Sequence, residues 1–415
     1  HRVRVGRHGV RGPRGRAGGP RRRGLIGAGM GDELPRTADV LVIGAGIVGC
    51  SVAFHLAASG AGAVLVVDRE DAVGRGSTGA CAGGFRQQFT SEVNIHLSRA
   101  SIPMILRFTE EHGIPVDVSQ DGYLFLVRDD AAWAGFRSAV ELQRSLGVEV
   151  EVLEPEAAGA LLPGIDTRGL VGATFGPKDG IADPAALTQG YATLARRAGV
   201  TFALDTSVTA IEVDAAGAVT GVRTSRGPVA ASAVVLAAGA WSGALAATAG
   251  VEVPVEPVPR VVVTTGAFPR VPARRTLVID AASSFYFHRE GNGVLMGMGG
   301  RDVTTFDTTV DERFVHDELV PRAVTVFPPL AEAGIRSRWA GLYEMTPDRN
   351  PIVGPGPVDG LWIAAGFSGH GFQHGPIVGK VIAELVTGAA PSVDVSPLSL
   401  SRFGTGDLAR EGHVV

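Results

Sequence analysis

The sequence predicts an α/β protein in two parts: a doubly wound domain on a parallel sheet, and a smaller part built on a mixed, largely antiparallel sheet. Three observations carry this. Residues 39–68 read as strand, glycine turn, helix and strand. Ala233 to Ser242 and Leu361 to Pro376 each repeat a buried strand running into a small-residue turn. Residues 251–335 alternate β patterns with turns.

The first unit opens with Val40 to Ile43, an almost wholly apolar run of the kind a parallel strand buries on both faces. Gly44 permits the sharp turn, Gly46 lets the backbone approach a phosphate, and Gly49 allows the helix to pack on the strand. Ile47 and Val48 open the helix, whose first N–H groups face an anion. The second strand, Val64 to Val67, ends at Asp68, 24 residues after Gly44, where a carboxylate can accept both ribose hydroxyls; Arg69 follows it. This is a Rossmann-like unit for an adenine dinucleotide. Asp68 disfavours a 2′-phosphate, which leaves NAD or FAD, and the unit alone does not separate them. A doubly wound element without ligand is the bland alternative. A membrane span over residues 40–67 conflicts with His55 and the interior glycines.

At 415 residues the chain can hold two or three domains with real cores. It is 45% hydrophobic and 19% charged, with 58 glycines and 25 prolines, which favours many tight turns over long helical arrays. Two cysteines, Cys50 and Cys81, provide neither a disulfide framework nor metal-site spacing, and they fit a reducing, cytoplasmic setting. The net charge of −4 hides an asymmetry: residues 1–30 hold nine arginines and no acid, leaving 29 Lys and Arg against 42 Asp and Glu. An acidic body argues against nucleic acid as a partner.

The Arg/Gly-rich residues 1–36 are expected to be a disordered tail; no apolar h-region follows the arginines, and sequence upstream of a start at Met30 is expected there in preference to a basic nucleic-acid arm. Gly27 to Gly31 imitates a glycine turn without a strand before it. Gly74 to Arg86 is too small and glycine-dense for strand or helix and reads as a loop whose hydroxyls, Ser77 and Thr78, suit a cofactor. Arg86, the first charge beyond it, is either a solvated arginine or the holder of a substrate carboxylate. Residues 91–112 have helical spacing divided or kinked by Pro103, with His96 as packing. Tyr123 to Val127 and Val148 to Leu153 read as strands flanking a helix from Ala131 to Leu146. Asp183-Pro184 starts a helix to Ala198.

Val208 to Val213, Val219 to Thr224 and Ala233 onward form a second strand-rich block, ending in the turn Ala237-Ala238-Gly239-Ala240-Trp241. In residues 251–335, His288 and Arg289 face either a ligand or solvent. Gly366-Phe367-Ser368-Gly369-His370-Gly371-Phe372-Gln373 forms a third turn after a strand, and a helix from Ile377 to Val386 has Pro376 at its start and Gly388 beyond its end. Its N-terminus offers N–H groups to something anionic.

These motifs resemble the D-amino-acid oxidase superfamily of FAD enzymes, in the glycine and sarcosine oxidase branch, near sarcosine oxidase β-subunits and dimethylglycine or proline dehydrogenases. The resemblance covers about residues 38–390 and is most specific at Gly366 to Phe372. It implies an FAD-binding domain (residues 37–118, 166–250 and 336–392) interrupted by a substrate domain (119–165 and 251–335) that roofs the flavin, with a C-terminal tail over 393–415. It implies oxidation of a small amine or N-methyl, secondary amino acid by hydride transfer to flavin N5, followed by imine hydrolysis. Carried over residue by residue, Arg86, Tyr343, His370 and Gln373 stand at the substrate. Gly44, Gly46, Ile47, Val48, Gly49, Asp68, Arg69, Ser77, Thr78, Val208, Ala238, Gly239, Trp241, Gly341, Gly366, Gly369, His370 and Gly371 stand at FAD.

Departures from the family pattern sharpen this. Gly341 replaces the cysteine that attaches FAD in monomeric sarcosine oxidases, and Gly79-Ala80 replaces the attaching histidine of dimethylglycine dehydrogenases, so the FAD is expected to be non-covalent. Leu295-Met296 stand where oxidases carry an oxygen-activating lysine, which favours a dehydrogenase passing electrons to an acceptor or partner subunit. Gln373 replaces a carboxylate-binding lysine, leaving Arg86 as the main anchor. The competing expectations are a β-like subunit that needs partner chains and a non-catalytic flavoprotein assembly factor. A plain NAD dehydrogenase has no use for the third turn.

Overall fold

The computed structural model describes residues 33–404 and 408–413. The expectations for residues 1–32, the glycine run Gly27 to Gly31 included, lie outside the described residues.

Val40 to Ile43 are buried side by side and set the centre of the first sheet. The Thr37–Ile43 strand pairs in parallel with Val64–Val67 on one side and Gly227–Leu236 on the other. Thr201–Ala203 extends the parallel sheet beyond Val64–Val67, and Leu361–Ala365 extends it beyond Gly227–Leu236. Ile43 lies opposite Leu236, and Leu236 opposite Ile363. Three strands therefore end side by side, and the three glycine turns read from the sequence meet at one carboxyl edge, where open α/β sheets hold their ligands.

The Ile47–Ala58 helix is buried on almost every side because it lies between this sheet and the Gly371–Val386 helix. Close approach rests on glycine. A Cβ at Gly379 would stand 2.2 Å from Ser51 Oγ and 2.6 Å from the Ser51 carbonyl carbon. Ser51 Oγ donates to the Pro376 carbonyl at 2.9 Å, which supplies a bond across the contact.

The second sheet has the order Ile335–Met345, Glu256–Thr265, Gly293–Gly297, Phe285–Glu290, Leu277–Asp280, Tyr123–Val127, Gly172–Gly176, Glu151–Leu153. All its pairings are antiparallel except Leu277–Asp280 with Tyr123–Val127, so it is mixed and largely antiparallel. Phe285, Phe287, Phe327 and Val263 form the core on its outer face.

Several elements differ from the sequence reading. Gly172–Gly176 and Ile335–Met345 were expected in the FAD-binding part, yet both pair in the second sheet, because their partners are remote and apolar alternation alone does not say which sheet a strand joins. The glycine-rich loop is not free of regular structure: Ser77–Ala80 makes one helical turn, and Gly84–Phe85 pairs with Gly180–Ala182. The last long helix starts at Gly371 rather than beside Pro376, which lies inside it. Pro103 likewise sits inside Glu92–Leu106, and the division falls at Arg107. His96 is half exposed beside Glu92 instead of packed. The C-terminal stretch is not a loose tail among its described residues: Val395, Leu398 and Glu411 are buried. Among the described residues no helix is long and apolar enough to cross a membrane.

Gly379→Val is expected to lower the unfolding free energy by about 3 kcal/mol or more, since the added carbons meet backbone that cannot yield; chemical denaturation of the purified variant measures this.

Candidate active site

A cavity of about 520 Å³ runs from the carboxyl edge of the first sheet to the inner face of the second. Its far end belongs to the first unit. Gly44 holds φ +110°, and a Cβ there would stand 2.3 Å from the Ala237 carbonyl oxygen. Only glycine lets the first and second turns touch in this way. No side chain caps the Ile47–Ala58 helix, although Thr78 Oγ1 accepts from Ile47 N–H at 3.2 Å. Asp68 Oδ2 accepts from Ala45 N–H at 2.5 Å and Oδ1 from Glu70 N–H at 2.8 Å, so the carboxylate fastens the turn to the strand end. A carboxylate has about four acceptor positions, so it retains capacity for a ligand hydroxyl. Arg69 lies over the Trp241 ring at 3.7 Å, and Trp241 stacks on Phe306 at 5.3 Å.

The middle of the cavity is drawn together by Ser77, whose Oγ donates to the Leu342 carbonyl at 2.6 Å, tying the glycine-rich loop to the Ile335–Met345 strand. Val208, Ala238, Gly239 and Gly341 line the same stretch. At the near end, Glu344 Oε2 accepts from Gly366 N–H at 2.9 Å and the Glu344 carbonyl from Ser368 N–H at 3.0 Å, holding the third turn in place. Ser368 and Gly369 take φ +48° and +98°, and the helix then begins at Gly371 with its first N–H groups toward the cavity wall.

Most residues singled out from the sequence line this one cavity: Gly44, Gly46, Ile47, Val48, Asp68, Arg69, Ser77, Thr78, Val208, Ala238, Gly239, Trp241, Gly341, Gly369, His370, Gly371, Arg86, Tyr343 and Gln373. Gly49 and Gly366 do not. A Cβ at Gly49 would meet the Gly44 carbonyl oxygen at 1.9 Å, and one at Gly366 would meet Thr346 Cγ2 at 2.4 Å, so both shape the turns from behind. His288 also lies outside it, bonded to the carbonyls of Arg289 and Ala82, and Arg289 turns to carbonyls of its own surroundings.

Arg86 is buried rather than solvated. Its guanidinium donates to the Gln88 and His413 carbonyls and lies 3.9 Å over the Phe89 ring. Gln373 accepts from Arg86 N–H at 2.8 Å and donates to the Arg86 carbonyl at 3.1 Å. Gln373 is therefore a clamp on the Arg86 main chain, and its amide also donates to Ser98 Oγ at 3.0 Å. Asp179 completes the clamp, accepting from Gln87 N–H at 2.8 Å and Gln88 Nε2 at 3.0 Å. His370 Nδ1 contacts the Phe367 carbonyl, which makes it the N–H, and its buried Nε2 has no protein partner. Burial, then the nearby Arg86, hold the ring neutral by pushing its pKa down to about 3.

Sequence reasoning expected a roof from the second sheet but did not name most of its lining residues. Arg260, Val262, Leu277, Ile279, Tyr123 and Tyr286 all line the cavity from the second sheet. The signal was present for Arg260, a charge in phase with Val258 and Val262 along an otherwise apolar strand. Glu344 was missed for lack of any local motif. Among the described residues no group of acidic, His and Cys side chains is arranged to hold a metal ion.

Residues 39–385 match the family model described as FAD dependent oxidoreductase, DAO. The chain belongs to the DAO family of FAD-dependent oxidoreductases. It is 33% identical over 430 residues to FAD-dependent oxidoreductase domain-containing protein 1 of Bos taurus, covering 91% of this chain and 87% of that protein. It is 29% identical over 395 residues to the mitochondrial sarcosine dehydrogenase of Homo sapiens, covering 91% of this chain but 43% of that protein. Among solved structures, L-proline dehydrogenase from P. horikoshii is 33% identical with a TM-score of 0.84, covering 90% of this chain and all of that one. Glycine oxidase from Geobacillus kaustophilus is 28% identical with a TM-score of 0.81, covering 88% and 99%. FAD is the cofactor of this DAO-family chain, and the residues present fit it: two helix N-termini, turns without Cβ atoms and Asp68 lie along one elongated cavity.

Burial pushes the Asp179 carboxyl up to about 7, against the pull of its Gln88 and Gln87 bonds and of Arg86. A folded-state pKa raised above the unfolded one means stability is fully present below the unfolded pKa and is lost as pH rises toward about 7. The loss approaches about 1.4 kcal/mol per pH unit across that window. Asp179→Asn is expected to be less stable at pH 5 but to lose less melting temperature between pH 5 and pH 8 than the parent, as thermal melts at the two pH values will show.

Proposed function

We propose that this protein oxidises the C–N bond of a small amine or N-methyl or secondary amino acid, of the sarcosine, dimethylglycine, proline or glycine class. FAD, when bound, supplies the two-electron acceptor for the hydride lost from the carbon next to nitrogen. One observation carries the reading: the chamber pairs a buried, clamped arginine with a neutral histidine whose Nε2 is unengaged. Similarity to proteins named sarcosine dehydrogenase, L-proline dehydrogenase and glycine oxidase supports the same class.

The residues divide the work. Hydride leaves readily only when the nitrogen lone pair is free, so the amine must react unprotonated. For a primary or secondary amine His370 Nε2 accepts a hydrogen bond from the amine N–H and orients the lone pair; a ring this hard to protonate does not store the proton. Arg86 has five N–H groups, two committed to the Gln88 and His413 carbonyls, and the others hold the substrate carboxylate. The clamp by Gln373 and Asp179 keeps that anchor fixed relative to the reacting carbon. Tyr343, Tyr123 and Tyr286 exclude water from the roof.

The dehydrogenase reading is supported by the two lysines of the chain, Lys178 and Lys380, neither of which lines the cavity; electrons would pass to a separate acceptor or a partner subunit. The cytoplasmic expectation stays part of the proposal, supported by the absence of a disulfide between the two cysteines. Non-covalent FAD is supported at the two attachment positions. A Cβ at Gly341 would stand 2.5 Å from Ala80 Cβ, so two positions without a nucleophile face each other. The neighbouring Cys81 is held as a thiol by burial, its pKa pushed up to about 12. A second reading, a flavoprotein without amine turnover of its own, is favoured by the two main-chain carbonyls already on Arg86.

Acid precipitation is expected to release the yellow flavin into the supernatant; flavin retained on washed protein would refute non-covalent binding. Anaerobic addition of sarcosine, dimethylglycine, proline or glycine is expected to bleach the flavin with at least one of them. Arg86→Ala is expected to weaken that substrate's binding by about 10- to 100-fold, the value of a charge-assisted bond, with flavin content retained. Tight flavin that no amine bleaches favours the second reading, and loss of flavin in the variant moves Arg86 to the cofactor.

A further inference from the structure

We propose that Arg260 forms a second anion subsite in the chamber, so that the preferred substrate is an amine carrying two carboxylates, one for each arginine. This rests on the amine oxidoreductase reading and names its substrate class.

Arg260 enters from the Glu256–Thr265 strand of the second sheet, whereas Arg86 follows the Gly84–Phe85 strand beneath it. The residue paired with Arg260 across the sheet is Gly341, so no side chain covers it from that strand. The next residue on that face, Tyr343, has its ring 5.3 Å from the guanidinium carbon. The Arg260 side chain is only 12% exposed and yet is incompletely satisfied. One terminal nitrogen donates to the Pro259 carbonyl at 3.2 Å, the other meets Asp302, and the buried Nε has no partner. An orphaned buried N–H on a charged group costs on the order of the full desolvation of that bond, which a ligand oxygen would recover. The edge formed by Nε and one terminal nitrogen is the one that receives a carboxylate bidentately.

The present counter-ion is a weak one. Asp302 is 56% exposed, on the chain between the Gly293–Gly297 strand and residue 313, and an ion pair with so solvated a partner is worth little. Arg349 adds a further positive charge in this neighbourhood, where burial and then Arg410 lower its pKa, and its own Nε is buried without a partner. Of the acids that line the cavity, Asp68 and Glu70 lie at the dinucleotide end and Glu344 is turned to Gly366 N–H. Arg260 brings a positive charge to the roof with nothing inside the chamber to match it, and an anionic substrate arm supplies the match. The alternative, that Arg260 only packs on Tyr343, leaves the orphaned Nε without a purpose.

The test uses the FAD-loaded enzyme and two thioether ligands that contain no oxidisable amine: thiodiglycolate, with two carboxylates, and methylthioacetate, with one. Binding is read from the flavin absorbance, without turnover. The parent is expected to bind thiodiglycolate at least about tenfold more tightly, as one added charge-assisted bond implies. Arg260→Gln is expected to reduce that preference at least about tenfold and Arg260→Lys to retain part of it. Asp302→Asn, at a surface position, is expected to increase it. A parent with no preference, or a preference unchanged by Arg260→Gln and by Asp302→Asn, overturns the proposal. If the preference behaves as expected but no amine, iminodiacetate and N-methylaspartate included, bleaches the flavin anaerobically, the subsite stands and the amine oxidoreductase reading falls.

Discussion

A guanidinium buried without a carboxylate beside it is the constraint around which the chamber is assembled. Arg86 makes no ion pair among the described residues. Desolvation lowers its pKa, and the carboxyls of Glu411 and Asp179 are among the groups that oppose that. Such a cation is tolerable when its N–H groups meet oxygens and its faces meet π-electrons. The fold supplies both from remote parts of the chain: the Gln88 carbonyl nearby, the His413 carbonyl from the C-terminal segment, and the rings of Phe89 and Phe125.

The C-terminal segment holds its place by the same logic. Glu411 is buried and accepts from the N–H groups and hydroxyls of Thr90 and Ser91 and from Asn94. Desolvation pushes its pKa up, but the His413 and Thr90 N–H groups, the charge of Arg86 and the Ser91 hydroxyl outweigh it and hold the carboxyl below its ordinary range. The His413 ring, 4.2 Å from the Phe136 ring, then brings its carbonyl to Arg86. A carboxylate satisfied by donors in one strap and a guanidinium satisfied by acceptors in the next replace a direct ion pair. The arrangement leaves the remaining donors of Arg86 for an anion that is not part of the protein.

This explains which features were legible in the sequence. The first unit was, because strand, turn, helix and acid all lie within thirty residues and each obeys a local rule. The glycine turns at Gly239 and Gly369 were legible for the same reason. Their functions were less so: Gly44, Gly46 and Gly49 look alike in a string, yet Gly49 only admits the Gly44 carbonyl behind the turn. The helix start at Gly371 was misplaced because Pro376 imitates a first-turn proline. Glu411 and His413 could not be read at all, since each acts across more than three hundred residues. Arg260 was readable only as a break in an apolar alternation, and its meaning depends on Gly341 opposite and Asp302 outside.

The two arginines of the chamber differ in a way that bears on specificity. Arg86 is fixed twice, through its main chain by Gln373 and through its guanidinium by carbonyls, so a carboxylate that binds it must take the position the protein dictates. That suits the anchor nearest the reacting bond, where small displacements are costly. Arg260 is held by a solvated carboxylate and one carbonyl of its own strand, so it can exchange Asp302 for another anion with little loss. In the proposed complex a rigid cation would set where the reacting carbon lies, and an exchangeable one would test what the rest of the molecule carries. On this reading selectivity arises because a substrate lacking the second anion leaves the buried Nε unpaired. Discrimination by an unsatisfied polar group exceeds what apolar shape alone can give, which is why the roof carries an arginine among its valines and tyrosines.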